Sequence, residues 1–145
     1  MLALALLIHS SFFAARYKID CTSTAKWINY RTQKSFTGTI VFELERERVG
    51  VINVTGLLKD EDNNQLYHVQ REIVLVSHDE INSKIAMDIK SVHKHISDTA
   101  PDQVFNKNLI DTSARTLYLG FKKMYNAYLI STPYSAAFMC INRDR

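Results

Sequence analysis

The chain has 145 residues, 46% of them hydrophobic and 23% charged, the composition of one globular domain with a core of its own and not of a disordered segment. Its 18 Lys and Arg stand against 15 Asp and Glu, a formal net charge of +3, and the signs are interspersed, so no basic block speaks for nucleic-acid binding. Only 4 Gly and 2 Pro occur, which leaves much of the turn chemistry to Asn and Asp.

The chain opens with MLALALLIHSSFFAA, a run without Lys, Arg, Asp or Glu; the first charge is Arg16. As a helix, Leu2 to Ala15 would span about 21 Å, short of the roughly 30 Å hydrocarbon core of a bilayer. Arg16 and Lys18 could snorkel to the interface and make up the difference. The run also has the length of a signal-peptide apolar region, but no cation precedes it, and Phe12 and Phe13 occupy the −3 positions of cleavage after Ala14 or Ala15. Residues 1–16 are therefore read as an apolar helix that anchors the chain in a membrane, with a cleaved signal or a buried core element as the alternatives. Residues 17–145 are read as one β domain. Two cysteines in an exported domain favour a disulfide. The one pairing available is Cys21 with Cys140, which closes a loop of 119 residues, stabilising by up to about 5 kcal/mol on chain entropy. Two free thiols are the alternative.

From Ser35 the dominant period is two. Phe36, Gly38, Ile40, Phe42 and Leu44 share one face, with Thr37, Thr39, Val41 and Glu43 on the other, as in a half-buried strand. Glu45 to Arg48 is a charged hairpin connection. Val49 to Leu58 is a second strand, with Gly50 and Gly56 at bulges or close backbone approaches. Lys59 to Asn64 is a polar turn. Gln65 to Ser77 is a third strand with Tyr67, Val69, Ile73 and Leu75 in phase; Arg71 breaks that face and is assigned to a bulge or a wet end of the sheet. In Lys84 to Ile96, Ile85, Met87 and Ile89 alternate with Asp88 and Lys90, and His93 and His95 continue the apolar face.

Ser97 to Phe105 changes character. Asp98 or Thr99 suits an N-cap, Pro101 the first turn, and Asp102 the helix dipole. One short helix is expected near residues 100–110. Strands resume at Arg115 to Lys122, with Leu117, Leu119 and Phe121 on one face. Ala127 to Ser131 and Ala136 to Ile141 follow, around Thr132 to Ser135. The fold class is mainly β (α+β): a strongly curved or barrel-like antiparallel sheet of about seven to eight strands with one short helix. The absence of βαβ alternation argues against a parallel sheet.

Catalytic signals are missing. His93-x-His95 puts two rings on one strand face, but no third ligand is signalled, and no metal is expected. There is neither a G-x-S-x-G elbow nor a phosphate-binding glycine loop. Asp60, Glu61 and Asp62 read as a solvated turn and not as an acid–base pair. Asn53-Val54-Thr55 matches a glycosylation sequon but falls inside a strand and is discounted. The chain is expected to be no enzyme and to carry no cofactor. Phe36, Ile40, Phe42, Tyr67, Leu117, Leu119, Phe121 and Tyr128 either pack a plain core or line an interior that takes an apolar ligand.

The pieces taken together resemble the FidL-like membrane protein family of enteric bacteria. The resemblance runs through most of the chain. It takes in the apolar leader and Cys21, the Gly38-Thr39-Ile40-Val41-Phe42 strand, and the Val49-Gly50-Val51-Ile52 strand ending at Gly56. It continues through Tyr67-His68-Val69-Gln70-Arg71, Asp98 to Phe105, Asn126 to Ile130 and Phe138-Met139-Cys140. The departures are the absent basic residues before the leader and Ala136-Ala137 in place of a proline ahead of the last strand. The resemblance implies a bacterial inner-membrane protein with a single N-terminal anchor and a C-terminal periplasmic domain. Such proteins look like ToxS-type partners of membrane-bound, winged-helix ToxR-like regulators in virulence signal transduction. In related pairs the two periplasmic domains join, and some form a β-barrel that binds a bile salt or fatty acid. The alternative is a free-standing lipid or small-apolar-molecule carrier or adhesin accessory protein. No catalytic residues carry over.

Overall fold

The computed structural model describes residues 17–131 and 138–143. The expected N-terminal apolar helix and the start of the last strand at Ala136 lie outside the described residues. Eight strands are found: β1 (Lys18–Asn29), β2 (Lys34–Glu45), β3 (Val49–Asp60), β4 (Gln65–Ile81), β5 (Lys84–Lys94), β6 (Thr116–Met124), β7 (Ala127–Ser131) and β8 (Phe138–Asn142). Among the described residues one short helix, α1 (Asp102–Asn108), sits between β5 and β6. Each strand pairs antiparallel with the next, and β1 pairs with β8, so the expected curved sheet is a closed up-and-down barrel.

The period-two faces become inside and outside. Phe36, Ile40, Phe42 and Leu44 of β2 are buried, as are Val69, Ile73 and Leu75 of β4 and Leu117, Leu119 and Phe121 of β6. β1 lies in a stretch where the sequence reading assigned no strand. It follows the same rule, with Ile19, Cys21, Ser23 and Ala25 buried. Gly38 and Gly56 face each other across β2 and β3. A Cβ on either would meet the opposite backbone, at 2.2 Å from the Thr55 carbonyl or 2.4 Å from that of Thr37, and the Phe36 ring that lies over both. Their close approach lets the wall bend there.

With few glycines, the hairpin tips use other residues in the left-handed region: Gln33, Glu47, Asn64, Asn82, Ser83 and Tyr125. Asn supplies two of these six and Asp none, so the expectation that Asn and Asp carry the turns holds only in part. Asp60 works differently. It is buried, and its carboxylate accepts from the Asp62 N–H at 3.1 Å and the Asn63 side chain at 3.2 Å. Burial would raise its pKa, but these bonds and Lys34 at 3.6 Å hold it below the usual carboxylate value. It is a turn brace and not the solvated carboxylate expected from the sequence.

A bulge corrects the reading of β5. Leu75 pairs with Ile89 but Val74 with Ser91, so Lys90 is the extra residue. Beyond it the inward phase switches from odd to even numbers. Val92 now lies opposite Ile73 and Lys94 opposite Arg71, while His93 lies opposite outward-facing Glu72 and is exposed. His93 and His95 therefore do not continue the core face.

In an up-and-down barrel, alternate turns gather at the same end. The β1–β2 and β3–β4 turns and α1 mark one end. Tyr17, the β2–β3, β4–β5 and β6–β7 turns and Arg143 mark the other. Contacts bind that second end together: the Arg46 N–H donates to the Tyr17 carbonyl, the Glu47 N–H to Ser77, the Asn142 N–H to Asn126 and the Arg143 N–H to Asp20.

Candidate functional site

The connection from β5 to β6 folds over one barrel end and is held by a buried cation. Arg71, on the inward face of β4, is 3% exposed. Its Nε donates to Asp98 Oδ2 at 2.9 Å and its Nη2 to Asp98 Oδ1 at 3.3 Å. Nη2 also donates to the Ala100 carbonyl, and Nη1 to Asp102 Oδ1 at 3.0 Å. The guanidinium carbon sits 4.4 Å above the centre of the Phe105 ring, a cation–π contact inside low-dielectric surroundings. Asp98 accepts two further bonds, from the Gln70 and Ala100 N–H groups, each at 2.9 Å, which fills its acceptor sites. Burial alone would raise its pKa. The Arg71 and backbone hydrogen bonds and the Arg71 charge outweigh burial, and the carboxyl titrates below its ordinary value. Arg71 is thus at neither a bulge nor a wet end: the bulge lies in β5, and the cation is buried and paired.

This clamp also corrects the helix start. Pro101 is the N-cap and makes no side-chain cap bond. Asp98 is committed to Arg71, and Thr99 exchanges hydrogen bonds with His68 along β4. At its other end α1 is tied to the β1–β2 hairpin. The Trp27 indole N–H donates to the Asn108 carbonyl at 3.3 Å, and Asn29 and Thr32 donate to the Asn108 side chain at 3.2 and 2.6 Å. The helix is a strap from β4 to β1.

Beside the strap the barrel wall is incomplete. β5 pairs with β4 as far as Lys94 but with β6 only as far as Asp88. The Ile89 N–H finds the Arg115 carbonyl; beyond it the β6 side of β5 has no ladder partner among the described residues. The His95 N–H donates to Gln70 on β4, and the alternation of an antiparallel ladder then turns the peptide groups of Val92 and Lys94 to the free side. A depression of about 330 Å³ lies along this edge. β4 and β5 line it with Arg71, Val92 and Lys94, and the strap with Asp102, Asn106, Thr112 and Ser113. Lys94 Nζ donates to the Ala100 carbonyl at 2.8 Å. The depression is lined mostly by polar side chains and bordered by the unpaired side of β5.

The residues singled out from the sequence are brought together inside the barrel. Phe36, Ile40, Phe42, Leu117, Leu119 and Phe121 are buried, and Tyr67 and Tyr128 pack half-buried against them. Trp27 and Phe138 complete an aromatic run. Trp27 lies 4.8 Å from Phe36 and 6.1 Å from Phe138 between ring centres. Phe42 is 6.1 Å from both Phe138 and Phe121, and Phe121 is 6.4 Å from Tyr128. The Ser23 hydroxyl is buried in this interior without a hydrogen-bond partner among the described residues. Cys21 and Cys140 form a disulfide with a Cα separation of 5.4 Å, joining β1 to β8 where only Cys21–Asn142 and Thr22–Ile141 pair. The strap was missed in the sequence. Its signal was available in Arg71 interrupting an apolar face and a carboxylate-rich segment, Asp98 to Asp102, that had to meet something.

At the opposite end, His78 Nε2 lies 2.7 Å from Asp88 and Nδ1 3.4 Å from Glu47. The Asp88 hydrogen bond, aided by Glu47, raises the imidazole pKa against partial burial. No group of three or more His, Cys, Asp or Glu among the described residues is arranged to hold a metal, and no helix among them is long and apolar enough to cross a membrane. The chain matches no curated protein and no solved structure. Its residues 56–140 match the family model described as "FidL-like putative membrane protein", a span that runs from Gly56, against Phe36, to the disulfide-bonded Cys140. With the strap, the clamp and the closing cysteine all inside that span, the chain belongs to the FidL-like family.

Proposed function

We propose that the chain is a non-enzymatic regulatory binding module. Its barrel stands in the periplasm, held at the inner membrane by the apolar segment 1–16, and joins the periplasmic domain of a membrane-bound, winged-helix ToxR-like regulator. One observation carries this reading: the free edge of β5 at Val92 and Lys94, open beside a groove. An extended segment of the regulator adds to that edge by main-chain hydrogen bonds. Arg71 and the strap hold the edge in place, so the surface is preorganised. The disulfide suits the oxidising periplasm. Binding shifts the regulator between states to the extent that the barrel prefers one of them. Co-purification with the regulator encoded in the neighbouring reading frame tests this. Capture of wild type and loss of capture by Val92→Pro, which stays folded, supports it; a folded monomer without affinity for that regulator overturns it.

The second reading is a free-standing carrier of a lipid or other small apolar molecule, such as a bile salt or fatty acid. It is favoured by the partnerless Ser23 hydroxyl inside an aromatic-lined barrel, since eight strands enclose space for side chains or one small ligand. Displacement of a fluorescent fatty acid by the isolated domain, weakened in Ser23→Ala, favours the carrier. Displacement only with the regulator present favours the first reading.

A further inference from the structure

The barrel end at which the chain arrives carries three hairpin tips. Val49 beside the β2–β3 turn is 70% exposed, Ile81 beside the β4–β5 turn 69%, and Tyr125 of the β6–β7 turn 98%, with Met124 next to it at 40%. Arg48, Lys84 and Lys123 are exposed on the same turns. Tyr125 has φ 52°, where a bulky side chain is strained and glycine or asparagine is the ordinary choice. A fully exposed aromatic in a strained backbone position points to a role for that side chain. The opposite end exposes Tyr30 at 79% and Ile96 at 96%, so exposure does not by itself select an end.

The tether does. Only Arg16 separates the uncharged run ending at Ala15 from Tyr17, and one residue spans at most about 3.6 Å. Tyr17 is fixed to the barrel: its hydroxyl donates to the His78 carbonyl on β4, and its own carbonyl accepts from Arg46 on the β2–β3 connection. With the apolar run in a bilayer, this end is the one held near the headgroups, and only pivoting about Arg16 can lift its tips away.

We propose that the barrel docks onto the surface of the phospholipid bilayer through the tips at Val49, Ile81 and Tyr125. The apolar side chains and the tyrosine ring enter the interface, and Arg48, Lys84 and Lys123 meet lipid phosphates. The inference rests on the reading of residues 1–16 as an anchor. Docking fixes the tilt of the barrel, and with it the height at which the β5 edge is offered to a partner anchored in the same membrane.

The test uses the full isotope-labelled chain in phosphatidylethanolamine/phosphatidylglycerol nanodiscs carrying a gadolinium-chelating headgroup lipid. The amides of Val49, Ile81 and Tyr125 are expected to lose most of their signal, while those of Tyr30 and Ile96 keep theirs. The variant Val49→Ser/Ile81→Ser/Tyr125→Gly, which changes only exposed tips and relieves the strain at Tyr125, should recover much of the lost signal. Incorporation with equal broadening at both ends, or with no recovery in the variant, overturns docking and leaves the anchor standing. Failure of the chain to incorporate overturns the anchor and docking together.

Discussion

Arg71 is a buried, paired cation at the strapped end of the barrel. It is a charge placed where an apolar side chain would suffice, and its whole environment is built around it. Removing one member of a buried ion pair leaves the other uncompensated, so Arg71→Ala or Asp98→Ala should cost about 3–5 kcal/mol, read as a lower urea midpoint. The pH dependence follows from the lowered Asp98 pKa. Stability from this carboxylate is complete above its unfolded value near 3.9 and is lost as pH falls through the lower folded value. Asp98→Asn, although weaker at neutral pH, should therefore lose less on acidification than wild type. His78 works the other way, because Asp88 raises its pKa. Its contribution is complete below about pH 6.5 and is lost as pH rises through the folded value. Urea midpoints from about pH 5 to about pH 9 should show a downward step with rising pH that His78→Gln removes.

Among the elements, the long alternating strands were legible because one face of each had to be apolar. The inward sets of β2, β4 and β6 were readable from Phe36 to Leu44, Tyr67 to Leu75 and Leu117 to Phe121. β1 was left unassigned because its inward set includes Ser23 and Ala25, small residues that blur the period. The phase of β5 after Lys90 was unreadable, since Val92 is the one apolar residue of the strand beyond the bulge, too little to show the switch from odd to even numbers. The disulfide was legible because two cysteines allow one pairing. The strap was not: Asp98 satisfies a residue on another strand, and local sequence offers it as a cap with equal ease. Gly38 and Gly56 were visible only as glycines; their apposition under Phe36 belongs to the register of β2 and β3. Gly38→Ala forces a methyl against the Thr55 carbonyl, and should destabilise by about 1–3 kcal/mol through overpacking, measured by urea denaturation.

As a whole, the molecule is a barrel closed by a short seam. Among the described residues β1 and β8 share two paired positions, and Cys21–Cys140 ties them across 119 residues. Cys21→Ser/Cys140→Ser should lose up to about 5 kcal/mol, with hydrogen exchange rising first in β1 and β8. Across the barrel from that seam, β5 beyond Ile89 has no ladder partner on its β6 side among the described residues and lies beside a groove, and the proposed function depends on this edge. The direct measurement is amide hydrogen exchange of the domain mixed with the periplasmic domain of the ToxR-like regulator proposed as its partner. The account predicts a stable complex in which the Val92 and Lys94 amides become protected while the outer faces of β2 and β3 stay unchanged. A complex that protects some other surface and leaves Val92 and Lys94 exchanging freely, or no complex at all, would contradict it.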